Sequence, residues 1–279
     1  MAIGLVYDGH AQHRPPASAR ATHIETPERV SVIYRALGKA RLLDRLTRVA
    51  PREATRAEAE AVHTAEHLDA LEALADAEPS LRGAWRGGAG GGWSLGRDMF
   101  HDAQTACAAR RAAGGVVALT EGVLRGEISS GFALAGFCFL NSVAVAARAA
   151  LSPRGGLRRV LVVDWDVHHG DGTQAIFEED PAVLFFSLHR FGRGFFPGAA
   201  ARSRAPLAGA EDGLPLPLSF AQGPAPRAAW AAAPLQAIEL RGRSTARAFD
   251  PQLVLVSAGF DAAGGDLADE PGGGGGTSP

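Results

Sequence analysis

The densest chemistry in the chain lies in DWDVHHGDGTQ, residues 164–174, where three carboxylates and two imidazoles fall within eight positions. The segment follows the apolar run VLVV, which reads as a buried strand. In an extended stretch, residues two apart point the same way, so Asp164, Asp166 and His168 project from one side. A further carboxylate, Asp261, comes just past a second apolar run, in SAGFDA. Open parallel sheets gather ligands outside the carboxyl ends of their strands, so Asp166, His168 and Asp261 can meet there. An Asp, His, Asp set is a three-ligand catalytic metal site that leaves a position for water at the ~2.0–2.2 Å bonds typical of zinc. Iron(II) and cobalt fit the same donors.

A blander reading stands beside this one. Asp164 and Asp171 would cap turns, Asp166 and His168 would form a local ion pair, and Asp261 would make an Asx turn beside Gly264. A calcium loop is excluded, because the position that needs glycine is His169 and the third ligand position is His168. The glycine-rich GGAGGGW (87–93) invites a phosphate-loop reading, but no Gly-Lys-Ser/Thr follows it and no apolar strand precedes it.

Elements must exist to position these residues, and the sequence predicts them. IGLVY (3–7) reads as a strand, followed by a helix opening at Pro27 and Glu28 with Val30, Ile33, Tyr34 and Leu37 on its apolar face. Helical spacing recurs from Arg56 to Ala75, through Val62, Leu68, Leu71 and Leu74, and again from Asp102 to Leu124. VLVVD (160–164), AVLFFSL (182–188) and LVLVSAGF (253–260) are β-branched-rich runs of the kind that build a parallel sheet. Alanine-rich 225–240 reads as a helix, while 198–213 with Pro215 and Pro217 reads as an irregular loop. The expected fold class is α/β, an open parallel sheet with helices on both faces.

Composition agrees with one large α/β domain, since 46% of 279 residues are hydrophobic. With 28 basic and 30 acidic residues, nothing in the balance points to direct nucleic-acid or membrane-surface binding. Two cysteines, Cys107 and Cys138, are too few for a disulfide framework and read as small core residues. Neither a leader nor a membrane-spanning run is evident, so a soluble cytoplasmic protein is expected, with the nucleus as the alternative.

The motifs resemble those of the histone deacetylase, acetylpolyamine amidohydrolase and acetoin-utilisation superfamily, in its class II-like branch. DWDVHHGDGTQ is similar to the family's metal segment, and HIETPER (23–29), VHTAEHL (62–68), GFCFLN (136–141) and SLHRFGRGFFPG (187–198) agree with other family blocks in order. The resemblance implies an arginase/deacetylase-like fold over 1–269, with 270–279 a disordered glycine-rich tail. It implies zinc on Asp166, His168 and Asp261, an acyl-lysine channel walled by Phe137 and Phe196, and Asp98 holding the substrate backbone. Core packing is the competing reading for the two phenylalanines. It further implies a potassium-type site around Asp164, Asp166, His168, Ser187 and Leu188, and a second around Phe177, Asp180 and Val183. Acetylated lysine or acetylated polyamine is the implied partner.

Departures from the family pattern fall on catalytic groups. The family carries a segment ending in two adjacent histidines between its FAL strand and GFCFLN, whereas here FALA (132–135) runs straight into Gly136. Asp171, whose family counterpart orients one of those histidines, is expected to do no more than cap the turn at Gly170 and Gly172. The family's transition-state tyrosine lies well downstream of the last metal ligand, and the chain's two tyrosines are Tyr7 and Tyr34. The expectation is a deacetylase-family protein truncated at its carboxyl end and catalytically impaired. A non-catalytic binding module and an incomplete gene model are the alternatives.

Overall fold

The computed structural model describes residues 2–8, 13–17, 25–77, 84–86, 92–94, 100–134, 139–191, 216–221 and 243–261. The chain gathers into two compact units, Met1–Ala150 and Leu151–Pro279. Both are built on parallel strands with helices between them, which is the α/β architecture the sequence predicts.

In the first unit β1 (Ile3–Tyr7) lies between β2 (Leu46–Arg48) and β5 (Ser130–Leu134), parallel to both. The strand buries Leu5 and Val6, and Val6 joins Leu119 and Ile128 in a small core. Leu119 belongs to α4 (Thr105–Leu124), which packs closely because Gly114 lacks a side chain: a Cβ there would sit 2.5 Å from the Glu53 carbonyl carbon. A short antiparallel pair, β3 (Ala84–Arg86) and β4 (Gly92–Ser94), takes up the end of the glycine-rich stretch.

The helix expected from Glu28 forms as α1 (Glu28–Lys39), but none of its residues is buried. Ile33 is 45% exposed, and Tyr34 stacks on Tyr7 with centroids 4.0 Å apart. The single helix expected over 56–75 divides into α2 (Arg56–Glu60) and α3 (Ala65–Ala73), continued by a 3-10 turn at Leu74–Asp76. The cause is local: Thr55 caps α2 in a reciprocal box with Glu58, and Thr64 accepts the His67 N–H to start a new helix. Leu68, Leu71 and Leu74 bury as the spacing requires. Cys107, expected in the core, is only half-buried, with its Sγ 3.6 Å from Glu53. Helix α5 (Ser142–Leu151) follows the turn at 139–141.

The second unit is a four-stranded parallel sheet in the order β8-β7-β6-β9. Its strands are β6 (Val160–Asp164), β7 (Val183–Phe191), β8 (Leu216–Ala221) and β9 (Leu253–Ser257). Leu161, Leu184, Phe186 and Leu188 form a core on one face, packed by Ala246 and Phe249 of α7 (Arg243–Phe249). Helix α6 (Asp171–Phe177) connects β6 to β7. Pro217 was expected in an irregular loop and instead lies within β8, opposite Ser187. That strand is at the sheet edge, where a residue without an N–H is tolerated. The expected strand 253–260 ends at Ser257, freeing 258–261 to turn over the sheet. The expected helix at 225–240, the loop at 198–213 and Pro215 lie outside the described residues. No described helix is long and apolar enough to cross a membrane.

Candidate metal centre

Strand β6 is apolar because it is buried from both sides, and it delivers its one polar residue, Asp164, at its carboxyl end. Its neighbour β9 runs parallel in a register that aligns Val160 with Leu253 and Asp164 with Ser257. The two strands therefore end level. The Trp165 N–H extends the pairing by one step to the Ser257 carbonyl, at 3.3 Å. Beyond that point Asp166 and His168 leave β6 by two and four residues, and Asp261 leaves β9 by four. Short reaches of two to four residues from level strand ends bring the three side chains together.

His168 Nδ1 lies 3.1 Å from Asp166 Oδ1 and 2.9 Å from Asp261 Oδ2. Among the described residues these three form a group whose donor atoms all lie within 4.8 Å of one another. Four-coordinate zinc at bonds of ~2.0–2.2 Å needs neighbouring donors roughly 3.3–3.6 Å apart, a small adjustment from this arrangement. Backbone donors fix the carboxylates. The His168 N–H donates to Asp166 Oδ1 at 2.8 Å, and the Val167 N–H donates to Asp261 Oδ1 at 3.0 Å, leaving Asp261 Oδ2 for the cluster.

The electrostatics are those of a cation-seeking site. Hydrogen bonds that the His168 ring donates to Asp166 and then Asp261, with the carboxylates' charges, push the imidazole up to about 9 against the cost of burial. Burial works against charge on Asp261, yet His168 and the Val167 N–H hold its carboxyl below the ordinary carboxylate range. Without a metal the imidazolium is the cation between two carboxylates. A divalent ion held by the same three side chains would take the place of that proton.

Asp164 sits beneath the group, 5% exposed, accepting the Asp166 N–H at 3.1 Å. Burial first, then the charges of Asp166 and Asp261, raise its carboxyl to about 7. Ser187 pairs with Asp164 across the sheet and is fully buried beside Leu188, with its Oγ 2.8 Å from His189 Nδ1. Two glycines make room. A Cβ on Gly259 would lie 2.7 Å from both Cβ and Cγ of Asp166, and one on Gly170 would lie 2.5 Å from Asp164 Oδ2.

Asp171 is not part of this cluster: it is exposed at the start of α6 and accepts the Gly172 N–H at 2.8 Å. His169 is buried and engaged elsewhere, with Nε2 2.7 Å from Gln174 Oε1 and its ring 4.4 Å from that of His189. Around the second expected cation position, Phe177 and Val183 are buried and Asp180 shapes the turn, its carboxylate accepting the Ala182 N–H at 2.8 Å. Asp98, Phe137 and Phe196 lie outside the described residues. Sequence reasoning missed Gly259, Gly170 and the Val167 N–H, whose roles depend on close approach and backbone direction, and no residue type advertises either.

The sequence signature of the histone deacetylase domain matches residues 23–272. Human polyamine deacetylase HDAC10 is 38% identical over 258 residues, covering 87% of this chain and 37% of the relative. Histone deacetylase 15 of Arabidopsis thaliana is 36% identical over 259 residues, covering 88% of this chain and 43% of the relative. The chain thus spans about two-fifths of the length of these curated relatives. Among solved structures, the HD domain of HDA15 superposes with a TM-score of 0.79 at 32% identity, covering 95% of this chain and 75% of that one.

Proposed function

The chain belongs to the histone deacetylase family, and from that premise we propose that it binds zinc through Asp166, His168 and Asp261 but hydrolyses acyl-amides poorly. The substrate classes are acetylated lysine side chains and acetylated polyamines, since the relatives named above are a polyamine deacetylase and a histone deacetylase. When bound, zinc supplies the Lewis acidity that polarises an acyl carbonyl and acidifies a coordinated water. Two carboxylates and one neutral imidazole balance its charge. Iron(II) or cobalt would use the same donors. Phe137 and Phe196 are proposed to wall the acyl channel and Asp98 to hold the substrate backbone. The buried Asp164 carboxyl, with Ser187 and Leu188 beside it, favours a monovalent cation such as potassium, since a cation would keep that acid ionised.

What supports the reading is a ligand trio assembled among the described residues, set beside a histidine-pair motif that the sequence does not carry before GFCFLN. In the family pattern two adjacent histidines take the water proton and return it to the leaving amine. Here the sequence passes from FALA directly to GFCFLN. His169 cannot substitute, because it is buried against Gln174. General acid–base help is worth about 10²–10⁴-fold in rate, so its loss leaves binding intact and turnover slow.

The test is turnover and binding measured together on the zinc-loaded chain, with an acetyl-lysine peptide and an acetylated polyamine in parallel. The expected result is binding of one class with little product. Turnover at the level typical of a deacetylase would refute the impairment, and binding of neither class would refute the substrate assignment.

A further inference from the structure

We propose that His189 is a positioning residue for the monovalent-cation site: it accepts a hydrogen bond from the Ser187 hydroxyl and so leaves both Ser187 oxygen lone pairs for a cation beside Asp164. The inference rests on the functional reading for the cation itself. The residues it concerns all belong to the second unit.

Strand β7 sends alternate side chains to opposite faces of the sheet. Leu184, Phe186 and Leu188 enter the core packed by α7, so Phe185, Ser187 and His189 share the other face. The register pairs Ser187 with Asp164, which puts the serine and the acid side by side on that face. Both are buried, and among the described residues the Asp164 carboxylate accepts one hydrogen bond, from the Asp166 N–H. A buried carboxylate with so few donors is held in its charged form by a cation.

His189 is 1% exposed, with Nδ1 2.8 Å from Ser187 Oγ. Burial keeps the ring neutral at ordinary pH, with one N–H and one lone pair to place. Its Nε2 has no hydrogen-bond partner among the described residues. A buried nitrogen without a partner costs stability that an apolar side chain of the same shape would not, so the polar work of this imidazole is done at Nδ1. The ring is held for it: the His169 ring lies 4.4 Å away, tilted by 31°, and is pinned by its own Nε2 at 2.7 Å from Gln174 Oε1. Two tautomers of His189 satisfy the bond to Ser187. With the proton on Nδ1, Ser187 Oγ accepts it, and the two remaining directions around the oxygen hold one proton and one lone pair. With the proton on Nε2, Nδ1 accepts the Ser187 O–H, and both remaining directions hold lone pairs. A cation is met by lone pairs and repelled by a proton, and nothing described engages Nε2 to oppose the second tautomer.

The test uses the full zinc-loaded chain as wild type and as Ser187→Ala, His189→Phe and His189→Asn. Potassium replaces choline at constant ionic strength, its affinity is read from the rise in melting temperature, and the His189 ring nitrogens are followed by chemical shift. Phenylalanine keeps the bulk of the ring but accepts no hydrogen bond, whereas asparagine can place an amide oxygen where Nδ1 stands. The expected result is a ring proton on Nε2 in potassium-loaded wild type. His189→Phe should bind potassium about fivefold more weakly, the worth of one hydrogen bond, and His189→Asn should recover the affinity. Ser187→Ala should be weakened at least as much as His189→Phe, because it removes the oxygen that His189 orients. A ring proton on Nδ1 in the potassium-loaded wild type overturns the inference without any variant having to fold. Potassium affinity equal to wild type in His189→Phe or Ser187→Ala, or His189→Asn as weak as His189→Phe, would overturn it too. A wild type whose melting temperature ignores potassium refutes the cation site instead, and the role given to His189 falls with it.

Discussion

Gly259→Ala probes the candidate metal centre without replacing any of the three proposed ligands. The added methyl would lie 2.7 Å from Cβ and Cγ of Asp166, and closer still to Oδ2. A clash with Oδ2 alone could be relieved by rotating the carboxylate. A clash with Cβ cannot, so either the 258–261 turn or the 165–168 segment must move. Overpacking of this kind costs about 1–3 kcal/mol. If the metal-free protein relaxes and the metal-bound one cannot, the whole cost appears as lost affinity, about fivefold to about 150-fold for zinc at 1.4 kcal/mol per decade. The assay is competition against a chromophoric chelator, with thermal melts of metal-free and metal-loaded protein to find where the cost falls. Weaker zinc binding with an almost unchanged metal-free melt is the expected pattern. Zinc affinity equal to wild type would show that Asp166 does not hold its metal-binding position against Gly259, and the geometric argument would fail.

Asp171→Ala should leave zinc content unchanged and shift stability by no more than about 0.5 kcal/mol, as for an exposed residue outside the cluster; zinc loss would show that Asp171 does reach the site. Thr55→Ala removes the half of the reciprocal cap in which Thr55 Oγ1 accepts the Glu58 N–H, keeps the backbone N–H that donates to the Glu58 carboxylate, and should cost about 1 kcal/mol, read from a denaturant midpoint, with zinc binding unaffected. His63 and His189 are each pushed down to about 4, by burial first and then by a neighbouring histidine. Their unfolded forms bind protons more readily, so stability from this source is complete above the ordinary histidine value near about 6.5 and is lost as pH falls from there towards about 4. Denaturant melts between those limits should show falling stability, and replacing His189 by an uncharged residue should flatten the slope; an unchanged slope would contradict the assignment.

That Asp166, His168 and Asp261 come together was legible because its logic is one of spacing. Asp166 and His168 are two apart beyond one apolar strand, and Asp261 follows another. What the sequence could not supply is that β6 and β9 are neighbours with Asp164 level with Ser257, because register is set by packing between distant segments. The same limit explains the helix expected over 56–75. Its leucine stripe is real and buried, but the threonine cap at 64 starts a second helix and interrupts a periodicity that hydrophobic spacing alone does not break. Pro217 misled for a related reason, since proline argues against a strand only when both edges of that strand are paired, and among the described residues β8 pairs on one edge only, with β7. Gly259 acts through the room it leaves the Asp166 side chain, and that role appears only once the fold has been assembled.

The central claim is that Asp166, His168 and Asp261 hold one divalent ion. Zinc per chain, measured on purified wild type and on Asp166→Ala, His168→Ala and Asp261→Ala, tests it most directly. The account predicts one zinc per wild-type chain and loss of it in each folded variant. A folded wild type that takes up no zinc, or zinc retained at full stoichiometry in any one of the three variants, would contradict it.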